Sequence, residues 1–342
     1  MKKWFAVLLA VLLLCACDTP PILTEQPIQE QEPSVPVDAQ TVLFLVDRSM
    51  DDVFYQSALR FAGELESLTS GGLQIEVQRS AAAGSRLLAG QAQFAFVDSK
   101  TDQNLSQCFE AVATPFLYAN YEVFSMAVNS DQMKDMMMEG MDGAAVPLGA
   151  FYQPSRHLLT TWQPSDYLYF NQARISVDPS SGSGKGFSRL GAGIADEPDV
   201  QERFALIIDG WVEGGEFTLE EITTLDWSSS IDSETDFYLT LTYHTTDPVW
   251  LLAAEDFLSS LSAADRAAVT EAVAYLYAEI DGQYIRREEG LVEQLRAQGM
   301  LINPADFSMA RKEVFEQGED QLEEEDSNPY TQYVLSLISE LE

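Results

Sequence analysis

The chain is poor in the residues from which most catalytic and metal sites are built. Its 342 residues include two histidines, His157 and His244, which lie far apart in sequence. A histidine-rich metal site and a histidine-based triad are therefore poorly supplied. There is no H-E-x-x-H and no G-x-S-x-G, and the sequence implies no enzyme, no cofactor and no metal. Of three cysteines, only Cys108 lies beyond residue 17, so the body has no internal disulfide pair and must stand on its core. Cys108 reads as a small buried residue. Basic residues are also scarce: 19 Lys and Arg face 55 Asp and Glu, a formal charge of −36. That balance argues against nucleic acid, whose phosphates need cations, and against docking on anionic lipid by charge. It describes a solvated acidic surface.

What is present begins with an address. Lys2 and Lys3 precede the apolar run Trp4–Leu14, which is too short for the roughly 20 residues of a membrane-spanning helix. The segment reads as a secretory signal covering residues 1–16. Ala16 before Cys17 resembles a bacterial lipobox, which would make Cys17 the acylated first residue of the mature chain; a plain signal peptide cut nearby is the alternative. Removing residues 1–16 takes away two lysines and no acid. Residues 17–40 carry Pro20, Pro21, Pro27, Pro33 and Pro36 among Glu, Gln and Thr. Such a composition cannot bury enough apolar surface to order itself, so it reads as a disordered tether with a reach of roughly 26 Å.

The body reads as α/β. Val42–Val46 is a buried strand, and Asp51 and Asp52 open a helix with an apolar face of Phe54, Ala58, Phe61, Leu65 and Leu68. Leu73–Val77 alternates as a strand, Arg86–Ala89 marks a short helix, and Phe94–Val97 is a third strand. This order indicates a parallel sheet covered by helices. Further on, Ala173–Val177 reads as a strand, Val200–Ile208 as a helix and Trp211–Val212 as the start of a strand. Phe237–Tyr243 and Trp250–Ala253 are two more strands. Ser262 and Asp265 form a capping box, followed by Val269, Val273, Leu276, Ile280, Leu291 and Leu295 at helical spacing, with Gly299 as the C-terminal cap. A helix of some 35 residues, near 50 Å at 1.5 Å per residue, is longer than one small domain needs and should cross two. Met133, Met136, Met137, Met138 and Met141 read as core packing, and Ser180–Gly186 reads as a mobile surface loop. The latter is no phosphate loop: Pro179 stands where the pattern needs glycine, and Gly186 where it needs Ser or Thr. Glu323–Asp326 reads as a solvated acidic linker, and Val334, Leu337, Ile338 and Leu341 as a terminal helix docking on the body.

Four fragments carry a resemblance. Arg203–Phe217 (RFALIIDGWVEGGEF) resembles the signature E-V-Y-x-A-L-Q-x-G-x-V-D-G-x-E-N of the solute-binding subunits of TRAP transporters, the DctP family. Ala205, Leu206, Gly210, Val212, Gly214 and Glu216 hold the pattern, and Glu213 replaces its Asp. Phe257–Arg266 resembles the entry to the family's long helix, Leu68–Val77 its S-G-G stretch, and Thr114–Tyr121 its L-P-F-L-F stretch, all in the family's order.

The resemblance implies a two-lobed periplasmic-binding-protein-like fold with a hinge and a long domain-spanning helix. Lobe I would comprise residues 41–153 and 246–285, lobe II residues 154–245 and 286–317, with an acidic tail at 318–342. It implies a lipid-anchored extracytoplasmic binder that closes on a small-molecule solute, an organic acid in most of the family. The binder would then pass the solute to the membrane permease subunits of a TRAP-type transporter. A sensor or interaction lipoprotein that kept the fold without transport is the other reading. Family members hold the carboxylate with an arginine on a strand of lobe II, whose guanidinium fork makes two charge-assisted hydrogen bonds. Here that position is Ser176, with Arg174 two residues earlier on the same strand face. A second family arginine matches Arg156. The signature Asn becomes Phe217, next to Glu216, and a polar position ending the first strand becomes Asp47. Simple carboxylate clamping is therefore in question, and the candidate ligand-binding residues are Arg156, Arg174, Ser176, Asp47, Glu216 and Phe217.

Overall fold

The computed structural model describes residues 39–164, 167–230, 236–303, 308–316 and 328–341. The signal-like segment, Cys17 and most of the proline-rich tether lie outside them, as does Glu323–Asp326.

The body is built on two sheets. The first contains β1 (Gln40–Val46), β2 (Leu73–Arg79), β3 (Phe94–Asp98), β4 (Ala145–Phe151) and β10 (Val249–Ala254), in the order β2-β1-β3-β10-β4. The second contains β5 (Arg156–Thr160), β6 (Arg174–Val177), β7 (Gly193–Asp196), β8 (Gly214–Thr218), β9 (Tyr238–Thr245) and β11 (Leu301–Asn303), in the order β11-β9-β5-β8-β6-β7. The apolar runs read as strands supply the parallel set β2-β1-β3. The expected all-parallel sheet is incomplete, because β10 runs antiparallel to both β3 and β4. Two chain crossings explain this: β4 leads into β5 and β9 into β10, so each sheet receives a strand returning from the other.

The helix Val53–Leu68 starts on Asp52, whose carboxylate accepts from the Phe54 N–H at 2.8 Å, and buries Phe54, Ala58, Phe61 and Leu65 against β1 and β3. Phe44, Phe61 and Phe94 meet edge to face or tilted, with centroids 5.2–5.8 Å apart. Met133, Met136, Met137 and Met141 fill the same core, as does Cys108. The helix Pro329–Leu341 adds Val334, Leu337 and Ile338 to it.

The long helix spans Ala263–Ala297, 35 residues, with Ser262 as its cap. The Ser262 Oγ accepts from the Asp265 N–H, but the Asp265 carboxylate takes the serine hydroxyl and not the backbone, so the box is one-sided. Gly299 follows at φ +101°, the left-handed end that glycine tolerates. The helix buries Leu276, Ile280 and Tyr284 in the first core and Leu295 in the second, so one rigid element belongs to both lobes.

Two expectations shift. The strand foreseen at Trp211–Val212 begins at Gly214 instead, because Gly210 turns at φ +70° and Trp211 is left exposed. A Cβ at Gly214 would sit 2.9 Å from the Leu159 carbonyl oxygen, so glycine permits the close approach of β8 to β5. Ser180–Gly186 is no open loop: a turn at Pro179–Ser181 and the helix Gly184–Arg189 bury Ser181, Ser183 and Gly186.

Candidate functional site

The two crossings bring the carboxyl ends of the parallel strands in each sheet toward a common junction. In the first sheet that edge carries Val46, Arg79 and Asp98, with Val249 and Phe151 aligned beside Asp98. In the second it carries Val177, Asp196 and Thr218, with Arg156 paired to Thr218 and to Thr245. Ligands in open α/β sheets bind outside the carboxyl ends of the strands. Two residues of the long helix, one heptad apart, tie the crossing Tyr152–Ser155 in place. Asp281 accepts from the Tyr152 N–H at 2.9 Å and from the Tyr121 hydroxyl at 2.8 Å. Glu288 accepts from the Tyr152 hydroxyl at 2.7 Å, and Ser155 meets Thr246 of the other crossing at 2.6 Å. Burial pushes the Glu288 carboxyl up to about 7, in spite of its bond from Tyr152.

A third link joins the lobes. Phe116 follows the first core's helix Gln107–Val112 but inserts its ring into the second lobe, 5.1 Å from Phe187 and 5.6 Å from His244. Its N–H donates to the His244 carbonyl at 2.6 Å, and its φ is +67°, a left-handed conformation costly for a phenylalanine. Gly186 makes room, because a Cβ there would strike the Phe116 ring.

On the second lobe's edge the fixed point is Glu216, fully buried on β8. Oε1 accepts from the Asp178 N–H at 2.8 Å. Oε2 meets His244 Nε2 at 2.8 Å and accepts from the Ser183 hydroxyl at 2.7 Å. Burial alone would raise this carboxyl, but the His244 hydrogen bond and the charges of His244 and Arg156 reverse that and hold it well below the usual carboxylate range. His244 reaches Glu216 from a bulge in β9, where Tyr243 adopts φ +49°.

Arg156 opens β5, and its fork is occupied. Nη2 donates to Asp178 Oδ2 at 2.8 Å, and Nη1 donates to Glu221 Oε2 at 2.9 Å. Both acids are set by helix starts. Asp178 caps the turn Pro179–Ser181, its Oδ1 taking the Ser180 N–H and hydroxyl at 2.9 and 2.7 Å. Glu221 closes a capping box with Thr218, accepting from the Thr218 N–H at 2.9 Å. Arg203 lies behind, fully buried, 3.7 Å from Glu221 and over the Phe217 ring at 5.1 Å.

The first lobe's edge is acidic. Arg48 is paired with Asp98 and donates to Gln153 at 3.1 Å, and Gln153 in turn donates to Asp98 and to the Asp247 carbonyl, each at 3.1 Å. Asp47, Asp98 and Asp102 line a void of about 20 Å³ with Arg48, room for about one water. Burial and the neighbouring Asp98 raise Asp102 to about 6. Burial raises Asp247 to about 7, although Lys100 opposes it. A groove of about 1040 Å³ opens alongside, reaching from Lys100 and Thr101 of the first lobe to Val177, Pro179 and Ser180 of the second.

The structure thus brings Arg156 and Glu216 to one edge and Asp47 to the edge that faces it. Ser176 lies on β6, buried, its hydroxyl bonded to the Ala195 carbonyl at 3.2 Å. Phe217 is fully buried in the second core. Arg174 is exposed at the amino end of β6, the far end from Asp178, and its N–H binds Glu213. Sequence reasoning missed Asp178, Glu221, Ser183, His244, Arg48 and Asp98. The T-x-x-E of Thr218–Glu221 was a readable capping signal; the others owe their place to tertiary approach. Among the described residues no group of three or more His, Cys, Asp or Glu is arranged to hold a metal ion. The Glu216–His244 pair is sealed from solvent.

The family model for bacterial extracellular solute-binding protein, family 7 (DctP), matches residues 47–325. No curated protein matches the chain. Among solved structures, a TRAP periplasmic solute binding protein from Rhodobacter sphaeroides, in an apo open form, aligns with TM-score 0.75 at 14% identity, covering 88% of this chain and 96% of that one. One from Ochrobactrum anthropi, with its C-terminus bound in the ligand-binding pocket, aligns with TM-score 0.71 at 18% identity, covering 90% and 97%. One from Chromohalobacter salexigens with bound D-glucuronate aligns with TM-score 0.63 at 16% identity, covering 88% and 100%.

Proposed function

The chain belongs to the DctP family of bacterial extracellular solute-binding proteins, and on that premise we propose that it captures a small hydroxylated organic acid between its lobes and delivers it to a TRAP-type permease. The observation that carries this reading is the junction itself: two carboxyl-end edges, joined by two short crossings and one continuous helix, with the Arg156 fork on one side. A solute bridging the edges favours the closed arrangement by its differential contacts, and no covalent step is needed. The bound D-glucuronate of the Chromohalobacter protein supports a sugar acid as the solute class.

The anchor is part of the proposal. Acylation at Cys17 would hold the binder beside its membrane partner through residues 17–40; among the described residues no helix is long and apolar enough to cross a membrane. Globomycin treatment and a Cys17→Ala variant test it: the first should accumulate an unprocessed precursor that keeps residues 1–16, and the second should abolish incorporation of labelled palmitate. For the solute, a thermal-shift panel of sugar acids, dicarboxylates, polyols and amines is the direct test. Stabilisation by at least one sugar acid is expected, and a flat response across the panel would sink the reading.

A second reading is a sensor that kept the fold and not the transport. It is favoured by Ser176 in place of the strand arginine and by the fork of Arg156 being filled from within. Transport reconstituted with the permease, lost on removing this protein, decides between the two.

A further inference from the structure

We propose that Asp178 is a specificity-determining residue: its carboxylate acts as an internal competitor that occupies the Arg156 fork and must give way before a solute carboxylate can bind there. The inference rests on the solute-binding reading and deepens it.

An arginine recognises a carboxylate because its planar fork offers parallel N–H donors at fixed spacing. In this chain the two terminal nitrogens of Arg156 already face Asp178 at 2.8 Å and Glu221 at 2.9 Å. The three side chains are largely but not wholly buried, at 13%, 14% and 22% exposure for Arg156, Asp178 and Glu221, so solvent reaches the cluster. The two acids are not equivalent. Glu221 reaches both terminal nitrogens, at 2.9 and 3.4 Å, and is tied to Thr218 through the capping box, so displacing it also undoes a helix start. Asp178 holds the arginine by Oδ2 alone, while Oδ1 keeps the Ser180 N–H and hydroxyl. Withdrawing Oδ2 leaves Nη2 only the 3.4 Å contact with Glu221 and opens no capping box.

The other arginines near the fork offer no open guanidinium: Arg203 is fully buried behind Glu221, and Arg48 is engaged by Asp98 and Gln153 on the opposite edge. Lys100, Lys185 and Arg189 line the groove alongside, but a lysine offers a point charge and not a planar fork. A solute carboxylate that seats on the Arg156 fork competes directly with Asp178. Solutes presenting hydroxyl donors to the two acids carry no such cost.

Asparagine at 178 separates the roles. Its amide oxygen can cap Ser180 as Asp does, while the amide NH₂ cannot accept from Arg156. Calorimetric titration of D-glucuronate and D-galactonate, with D-glucose as the uncharged control, compares the wild type with Asp178→Asn. The variant should bind the two acids about tenfold more tightly, an effect of one charge-assisted bond, with D-glucose unchanged. Asp196→Asn removes an equal charge at the end of β7 and controls for general electrostatics. The proposal is overturned if Asp178→Asn shows no gain, or if Asp196→Asn shows the same gain. A wild type that binds a panel solute alongside an unimproved variant overturns this inference alone. Silence from every protein toward every solute overturns the solute-binding reading with it. Circular dichroism and the melting temperature of each variant establish that the comparison is between folded proteins.

Discussion

The two lobes are built by different means. The first buries one continuous hydrocarbon core around β1, β3 and β10, in which Phe44, Phe94, Trp250 and Leu252 have no exposed surface. The second splits its apolar residues between the two faces of its sheet and buries Glu216, His244, His157, Arg203, Ser176 and Ser183 among them. Apolar burial is insensitive to pH and tolerant of relaxation, whereas buried polar groups are stabilising only while every partner is in place. The first lobe is accordingly a platform, and the second a preorganised edge whose geometry depends on a few hydrogen bonds.

That contrast breaks most visibly in the first core. Phe94 contacts Phe44, Phe61 and Phe257, with centroids 5.2–5.8 Å apart. Phe94→Ala should cost about 3–5 kcal/mol, read by urea unfolding, because the cavity adds to the lost transfer energy. The second lobe should answer to polarity instead. Glu216→Ala removes no large apolar volume, yet it strands the Asp178 N–H, the Ser183 hydroxyl and His244. A loss of about 3 kcal/mol is expected, with Glu216→Gln recovering part of it; an alanine variant as stable as the wild type would refute the idea that this edge is held by hydrogen bonds.

The uneven legibility of the chain follows the same division. The first lobe's strands and the long helix were readable because their apolar spacing is continuous, as in Val42–Val46 and Val269–Leu295. β4 and β5 escaped notice: the first carries Pro147 and Gly149, and the second is five residues long and opens on Arg156 and His157. β7 begins on a glycine and has only four residues. Glu216 and Arg156 were legible through motifs. Asp178 was not, because its partner is 22 residues away and meets it only when β6 lies beside β8 and β8 beside β5. His244 depends on the bulge in β9, which no local pattern announces.

Other effects are expected at the junction and in the second lobe. Tyr152→Phe removes the hydroxyl that bonds Glu288 and Ser155. About 1–2 kcal/mol of stability should be lost, and on the proposed closure of the lobes solute affinity should change with it. An unchanged dissociation constant would mean that this crossing plays no part in closure.

His157 gives a test that is read through pH. It is fully buried, and desolvation followed by the nearby His244 lowers it to about 3. An unfolded histidine takes a proton below about 6.5, so the unfolded state gains protons that the folded state refuses. Stability attributable to this group is therefore lost as pH falls from about 6.5 toward 3, by up to about 1.4 kcal/mol per pH unit. Glu288, raised to about 7, acts oppositely: its contribution is present at low pH and lost as pH rises through 7. The His157 effect is thus the difference between wild type and His157→Phe, whose stability should fall less steeply between pH 6 and 4. Parallel profiles would remove His157 from the account.

Small-angle scattering on the purified protein, with and without the acid that stabilises it most in the thermal panel, tests closure most directly. A radius of gyration that falls on saturation, with the same change at lower concentration for Asp178→Asn, is the result predicted here. An unchanged radius at saturation would contradict a mechanism in which the two edges close on the solute.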